Sequence, residues 1–383
     1  MLSSAGPSTT THPKIVVLAL LALCTVLADP SGAGARGKPL DCKPNGAPVA
    51  FGSQGAIEVA EPVQYSGENH ILAADKAVKP TKLHLISPSG EAIELPSPPW
   101  TMEPSRWLSR GRAVYAVGTG RSQTQGKTDV VLVRWGTDSR PRLTKIATVD
   151  QVAAAPRAAL VGEFMAVLWA EAGASGEPRA VASFIDVEEV KVGEPQQLGR
   201  YEKGGFTELS AAGKGFMAVW SSDKGLMRAS FDLRGKSSAP GSALAWKAPS
   251  PVLGAIACGE RTWLLHEGGK GKLAVSTADG SGEVARVAEV ATSDHTRTPL
   301  LCADESVVVG HRTIHEKAGN VVFWISTVEP SGKKHERRVK DIAGNSDTIR
   351  MPLLAEAGEH RSAFWVEGGG HDARLWSRAI VCE

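Results

Sequence analysis

The chain lacks several features that mark common classes of protein. It has no excess of one charge, since 43 lysine and arginine residues oppose 41 aspartate and glutamate residues and the net charge is +2. Nucleic-acid binding needs a basic face or a base-stacking motif. Neither is visible, so we expect no nucleic-acid partner. Long helical patterns are also scarce, which points away from helix-rich folds.

Motifs for catalysis and cofactor binding are missing as well. The chain contains no G-x-S-x-G, H-E-x-x-H, P-loop or G-x-G-x-x-G motif in a usable context. The run 368–370 is three glycines, which we interpret as a flexible hairpin loop. We therefore expect no cofactor, and we favour a protein without enzymatic activity.

Only one apolar run is long enough to raise the question of a membrane. Ile15–Ala28 has 14 residues, whereas a helix needs about 20 to cross a bilayer. Its length and the small residues at its end are typical of an export signal. We predict a signal peptide at 1–28 and a flexible leader at 29–39, in a secreted or periplasmic protein. An N-terminal membrane anchor is the alternative; a lipid anchor at Cys24 is disfavoured because the bulky Leu23 precedes it.

The cysteine spacing favours disulfides over a metal site. Beyond Cys24 the chain has four cysteines, an even number, at positions 42, 258, 302 and 382. In an exported chain such a set predicts two disulfides. Structural zinc sites commonly contain closely spaced cysteine pairs, and no two of these four lie within 40 residues of each other. We expect no metal.

What the chain does contain is a repeat of short apolar runs bounded by turn residues. The runs 164–169 and 216–220 are near copies, FMAVLW and FMAVW, that start 52 residues apart. Each follows a glycine-containing turn and precedes a second apolar run that ends at Asp186 or Asp232. Short runs of this kind predict β-strands.

Weaker copies of the same unit extend over most of the chain. The strong strands of the seven units fall at 71–74, 113–117, 164–169, 216–220, 262–265, 306–309 and 362–366. A period of roughly 45–55 residues with four strands per unit is typical of a β-propeller blade. We predict that 40–383 is an all-β propeller of about seven four-stranded blades. An array of β-sandwiches is the alternative.

The last unit has no room for its fourth strand. We predict that the segment Pro48–Phe51 supplies it, so that N- and C-terminal strands close the ring, and that a Cys42–Cys382 disulfide locks the closure. By the chain-entropy model such a bridge contributes roughly 5 kcal/mol at most. Two free or mispaired thiols are the alternative. Cys258 and Cys302 fall at matching places in neighbouring blades, so we expect a second bridge if their Cα atoms lie close enough.

One pattern resembles a known group of proteins. The run 213–220, GKGFMAVW, followed by the strand ending SFDLRG at 230–235, resembles repeats of secreted bacterial β-propeller proteins. The likeness is specific in only two units, and it implies a scaffold rather than a reaction. The sialidase-type Asp-box and the WD dipeptide of other propeller families are both absent.

Two recurrences offer candidate ligand-binding residues. Polar residues end several of the second strands: Glu171, Asp223, His266 with Glu267, His311 with Arg312, and Glu367. Such a ring could bind a cation or sugar hydroxyls, but the first residues of loops are also polar simply because they are exposed to solvent. Four arginines begin innermost strands near the axis: Arg106, Arg157, Arg297 and Arg350. Guanidinium groups around a channel mouth would attract a carboxylate or phosphate, unless acids such as Glu208 pair with them.

Two functions follow from these observations. The first is an exported, non-enzymatic binding scaffold with a protein or saccharide partner and, if the ligand is small, an anion at the channel mouth. The second is a hydrolase or lyase acting on saccharides or glycoconjugates at the same place. A glycosidase requires two facing carboxyl groups about 5–10 Å apart, which only a structure can show.

Overall fold

The computed structural model describes most of the chain after residue 39. It describes residues 40–383 except for 54–56, 76–81, 88, 90, 97–101, 137–138, 174–175, 247–250, 294–298, 316–319, 343–348, 358–359 and 368–373. The predicted signal peptide and leader lie outside these residues. Within them the chain forms 29 β-strands and no helix. The described residues therefore contain no helix that could cross a membrane.

The strands form seven antiparallel sheets, which confirms the predicted propeller of seven blades. The first three blades are, in order, β2 (Ile57–Tyr65), β3 (Glu68–Asp75), β4 (Lys82–Ile86) and β5 (Ala92–Leu95); β6 (Met102–Arg110), β7 (Ala113–Arg121), β8 (Thr128–Gly136) and β9 (Ser139–Val149); and β10 (Gln151–Val161), β11 (Phe164–Ala172), β12 (Pro178–Asp186), β13 (Lys191–Val192) and β14 (Gln196–Arg200).

The other blades continue the same order. They are β15 (Thr207–Ala212), β16 (Gly215–Ser222), β17 (Gly225–Asp232) and β18 (Ser237–Ala243); β19 (Val252–Cys258), β20 (Arg261–Gly269), β21 (Lys272–Ala278) and β22 (Val284–Ala291); β23 (Leu300–Ala303), β24 (Ser306–His315), β25 (Asn320–Val328) and β26 (Lys334–Ile342); and β27 (Ile349–Ala357), β28 (His360–Glu367), β29 (Arg374–Cys382) and β1 (Cys42–Ser53).

Blade 3 departs from four strands because its outermost strand is interrupted. Both β13 and β14 pair with β12. Between them the Gly193 amide donates to the Phe184 carbonyl at 2.8 Å, and the Ser183 hydroxyl donates to the Gly193 carbonyl at 2.9 Å. These bonds replace the ladder where the strand breaks.

The core consists of seven apolar clusters, one between each pair of consecutive blades. In β11, Ala166 and Leu168 pack toward blade 4, whereas Met165 and Val167 pack toward blade 2. Because both faces of the second strand are buried, its sequence is a continuous apolar run and not an alternating one. This burial explains why the second strands were the clearest signal in the sequence.

The ring is closed by β1, which pairs with β29 as the outermost strand of blade 7. The Cys42–Cys382 disulfide is present, with Cα atoms 3.9 Å apart and Cys42 fully buried. The closing strand is longer than the predicted Pro48–Phe51, because pairing begins at Cys42 itself. The predicted closure is therefore confirmed.

The second predicted disulfide is present as well. Cys258 at the end of β19 bonds to Cys302 in β23, with Cα atoms 5.2 Å apart. It joins the innermost strands of blades 5 and 6. With both pairs oxidised, these four sulfurs are not available as zinc ligands.

Candidate functional site

Most of the candidate residues lie toward one side of the propeller. Because consecutive strands of a blade are antiparallel, the second strand of every blade ends on the same side of the propeller as its outermost strand. We call this side the bc face; it includes the turn at Asp223 between β16 and β17 and the connection from β14 to β15. Loops held by a rigid scaffold are common sites of binding.

The blades can be aligned by numbering the residues of each second strand from its hairpin with the innermost strand. Residue 1 is the second-strand member of the last pair before the hairpin turn, for example Phe164 opposite Val161 in blade 3 and Ser306 opposite Ala303 in blade 6. The sixth residue is then a buried aromatic or imidazole ring in five blades: Trp169, Trp220, His266, His311 and Trp365. The two histidines thus replace tryptophans of the core.

This alignment corrects the position expected for His266 and His311. The sequence predicts both histidines at the solvent-exposed start of a loop, but their exposed fractions are 4% and 3%. Each imidazole Nε2 lies 2.9 Å from a serine hydroxyl on the third strand, Ser276 or Ser326. Burial lowers the pKa of both imidazoles, that of His311 to about 4. Both rings are neutral near pH 7 and are enclosed between blades.

Glu171 and Glu367 hold two of the core tryptophans in place. The Trp169 indole donates to Glu171 at 3.1 Å, and the Trp365 indole donates to Glu367 at 2.9 Å. Glu171 also binds Arg179, whose Nε and Nη2 atoms lie 3.0 Å and 2.9 Å from Glu171 Oε1. These two carboxylates are therefore engaged within their own blades, where they fix the indoles that pack against the neighbouring blades.

The arginines divide into two groups. Arg106 and Arg157 lie within β6 and β10 rather than ahead of them, and they pair with Val117 and Leu168, the fifth residues of their second strands. They occupy equivalent places in neighbouring blades. Arg350 pairs with Val366, the seventh residue of its second strand, and so lies two residues nearer the bc face than Arg106 and Arg157 do. The side chain of Arg350 and the whole of Arg297 lie outside the described residues.

The blades on either side carry acids at the equivalent place. Glu208 of β15 pairs with Val219, and Glu61 of β2 pairs with Leu72. We call these four backbone positions the charged arc: Glu61, Arg106, Arg157 and Glu208. Blades 5, 6 and 7 have Gly254, Pro299 and Leu353 at this level, so the charges at this level are confined to blades 1–4.

The two arginines of the charged arc have no partner acid in the part of the chain that the structure describes. No carboxylate there lies within 4.0 Å of either guanidinium, and Arg157 Nε is buried without a hydrogen-bond acceptor. Glu208 instead accepts a hydrogen bond from the Leu209 amide at 3.2 Å. Glu208 therefore does not pair with Arg106 or Arg157, as the alternative interpretation of these arginines required.

The backbone around the arginines is fixed by a bond between blades. The Ser105 hydroxyl lies 2.6 Å from the Pro156 carbonyl and 3.2 Å from the Val117 carbonyl. The pairing register shifts just before Arg106 and again just before Arg157. Such bulges re-aim the side chains that follow them and occur often beside functional sites.

A cleft opens at the bc face on the outer part of blade 3. It measures about 310 Å³ and is lined by Gly173, Glu177, Pro178, Arg179, Gln197, Gly199 and Arg200. Sequence reasoning missed it, because its residues come from three stretches that only the pairing of β12 with β14 brings together. Among the described residues, no group of three or more His, Cys, Asp and Glu is placed to hold a metal ion.

Comparisons with known proteins concern the fold alone. No known family model and no curated protein sequence matches the chain. The β-propeller domain of the Trilobed protease from Pyrococcus furiosus is 11% identical, with 85% of this chain and 94% of that one covered and a TM-score of 0.48. The polysaccharide lyase Uly1 is 11% identical, with coverage of 87% and 90% and a TM-score of 0.48.

TolB from Acinetobacter baumannii is another similar structure. It is 15% identical, with 69% of this chain and 61% of that chain covered and a TM-score of 0.39. The present chain therefore spans less than two thirds of TolB. At these identities the likeness extends to the propeller and no further.

Proposed function

We propose that this protein is an exported, non-enzymatic binding scaffold that holds an anionic ligand between the innermost strands of blades 2 and 3. The observation that carries this proposal is the state of Arg106 and Arg157. They sit at the same level of adjacent blades, and no carboxylate of the described residues neutralises them.

Electrostatics favours an anion at this place. Two like charges at the same level of neighbouring innermost strands raise the free energy of the folded protein. A carboxylate, sulfate or phosphate between them would relieve this repulsion and accept the buried Nε–H of Arg157. The guanidinium fork matches these planar or tetrahedral anions better than an ammonium does.

The state of the candidate acids and bases supports binding rather than catalysis. Glu171 and Glu367 accept hydrogen bonds from indoles, and His266 and His311 are enclosed by neighbouring blades. A general acid or base must reach its substrate. These four side chains instead serve the scaffold.

Export is proposed from the N-terminal sequence and the disulfides. The run Ile15–Ala28 has the length of a signal-peptide core, and the two disulfides are typical of proteins in oxidising compartments. Expression in a bacterial host, fractionation and mass measurement of the N-terminus test this part. A full-length, reduced protein in the cytoplasm would contradict it.

Thermal unfolding in the presence of defined anions tests the ligand. Sulfate, phosphate, citrate and glucuronate are compared with chloride at equal ionic strength. A ligand that binds only the folded state raises its Tm. We expect at least one anion to raise the Tm by several degrees, and the Arg106→Gln/Arg157→Gln variant to lose this shift.

The matched control is Arg112→Gln, which removes an exposed arginine from the hairpin turn at the opposite face of blade 2. It should keep the full shift. If no anion raises the Tm, or if the double variant responds as strongly as the unmodified protein, the anion site does not exist.

A further inference from the structure

The cleft on blade 3 differs from the charged arc because its charges are already paired. Arg179 and Arg200 are direct cross-strand neighbours on β12 and β14, an arrangement that by itself is unfavourable. Three carboxylates compensate for it. Glu171 holds Arg179, while Glu177 and Asp223 lie on either side of Arg200 at 3.5 and 3.4 Å.

The ion pairs of Arg200 are loose enough to be shared with a ligand. The side chains of Arg200, Glu177 and Asp223 are 65%, 68% and 52% exposed. Exposed pairs at such distances contribute little to stability. Rearranging them around a ligand therefore costs little, whereas Arg179 is held firmly beside Glu171, whose side chain is only 13% exposed.

Charge balance around the cleft argues against a strongly charged ligand. Three carboxylates and two guanidinium groups leave a net charge of −1 (two minus three). An anion would meet the three carboxylates, and a cation would meet two guanidinium groups. An uncharged ligand whose groups both donate and accept hydrogen bonds would satisfy both sets.

Hydrogen-bond donors line the cleft, and acceptors lie at its rim. Arg179 Nη1, Arg200 Nε and the exposed Gln197 amide have no hydrogen-bond partner among the described residues. Glu177 and Asp223 supply acceptors at the rim. Gly199, at a φ of 143°, leaves the wall between Gln197 and Arg200 without a side chain, and a side chain there would be strained.

We propose that this cleft binds the end of a neutral saccharide. Neighbouring hydroxyl groups of a sugar ring each donate and accept, which matches alternating guanidinium, amide and carboxylate groups. A volume of about 310 Å³ lies at the lower end of the range for small-ligand sites. The site is separate from the charged arc, since it is built on the third and outermost strands.

A printed array of neutral, acidic and amino-bearing oligosaccharides together with charged peptides tests the ligand class. We expect neutral oligosaccharides to be retained most strongly. Titration calorimetry with the best neutral oligosaccharide then compares the unmodified protein with variants. Arg200→Gln should weaken binding at least tenfold, because it removes the donor that its two acids orient.

A second variant tests whether the oligosaccharide occupies the cleft, without changing the charge of the cleft. Gln197→Trp fills the cleft and should abolish binding while the protein keeps its Tm. Arg234→Gln, an exposed arginine in the turn after β17 on the opposite face, is the control and should bind normally.

The Arg106→Gln/Arg157→Gln variant should also bind the neutral oligosaccharide normally, which separates this site from the proposed anion site. Stronger retention of acidic or amino ligands, retention of charged peptides alone, or no binding at all would overturn the assignment. Equal affinity for the unmodified protein and Gln197→Trp would do the same.

Discussion

Blades 2–4 and blades 5–7 share one strand pattern but use it differently. In blades 2–4 the innermost strands carry Arg106, Arg157 and Glu208 at the level where blades 5 and 7 carry Gly254 and Leu353. Blades 5–7 contain the two disulfides instead. The same strand pattern thus carries charged side chains in one part of the ring and covalent bridges in another.

The largest effect should come from opening the closure between β1 and β29. Cys42→Ser removes a bridge between residues 340 apart in the sequence, and Cys258→Ser one between residues 44 apart. Loss of a native disulfide typically costs about 2–5 kcal/mol, with more for the longer loop. We expect both variants to keep a β-rich circular dichroism spectrum and Cys42→Ser to unfold at the lower urea concentration.

The opposite order of stability would show that strain or residual structure in the unfolded chain outweighs loop closure. Equal midpoints for both variants and the unmodified protein would show that neither bridge stabilises the ring.

The next largest effect is the pH dependence that the two core histidines confer. His311 has its pKa lowered from 6.5 to about 4 by burial, so the unfolded chain binds the proton more tightly than the folded one. Stability contributed by the neutral ring is complete above pH 6.5 and is lost as the pH falls toward 4, by about 3 kcal/mol for a shift of this size. His266 shifts in the same direction.

His311→Gln should flatten this pH dependence. A glutamine amide can keep a hydrogen bond with the Ser326 hydroxyl but does not titrate. Urea unfolding between pH 4 and pH 7 measures the slope. An unchanged slope in the variant would contradict the assignment of the pH dependence to His311.

A smaller effect should separate the two arginines of the cleft. Arg179 is bonded twice to Glu171, which in turn holds the Trp169 indole, so Arg179→Gln should cost about 1–2 kcal/mol. Arg200→Gln removes only exposed pairs and should stay within about 0.5 kcal/mol of the unmodified protein. Urea unfolding at neutral pH compares them, and a larger loss for Arg200→Gln would refute this ranking.

The smallest effect should be a gain in stability when the two arginines of the charged arc are replaced and no ligand is present. Replacing Arg106 and Arg157 by glutamine removes a repulsion that no acid of the described residues offsets. The Tm of the double variant should rise slightly at low ionic strength, and the gain should vanish in 1 M salt, where charges are screened within about 3 Å. A fall in the Tm at low salt would indicate that the guanidinium groups stabilise the fold.

Much of the architecture was predictable because burial leaves a direct mark on the sequence. The second strands are buried on both faces, so runs such as Phe164–Trp169 and Phe216–Trp220 stand out without an alignment. The count of seven and the missing fourth strand of the last unit led to the closure by β1. Matching positions in neighbouring units led to the Cys258–Cys302 bridge.

The side-chain environments were much less predictable. His266 and His311 look like loop residues in the sequence, because each follows the apolar run and stands beside a charged residue. Only the hairpin register shows that they occupy the place of Trp169, Trp220 and Trp365. Glu171 and Glu367 were visible as acids, but the indoles that they hold were not.

The class of fold and the number of blades were predictable from the sequence, since apolar runs and their spacing can be read along the chain, and the cysteine pairs followed from their places in the repeat. The tertiary structure alone decided which polar groups meet. Arg106 and Arg157 lie at the same level because each pairs with the fifth residue of its second strand, in a register that is unshifted from the hairpin. Arg179 and Arg200 become neighbours only through the pairing of β12 with β14. Register across strands is a property of the assembled sheet, and a shift of one residue sends a side chain to the opposite face.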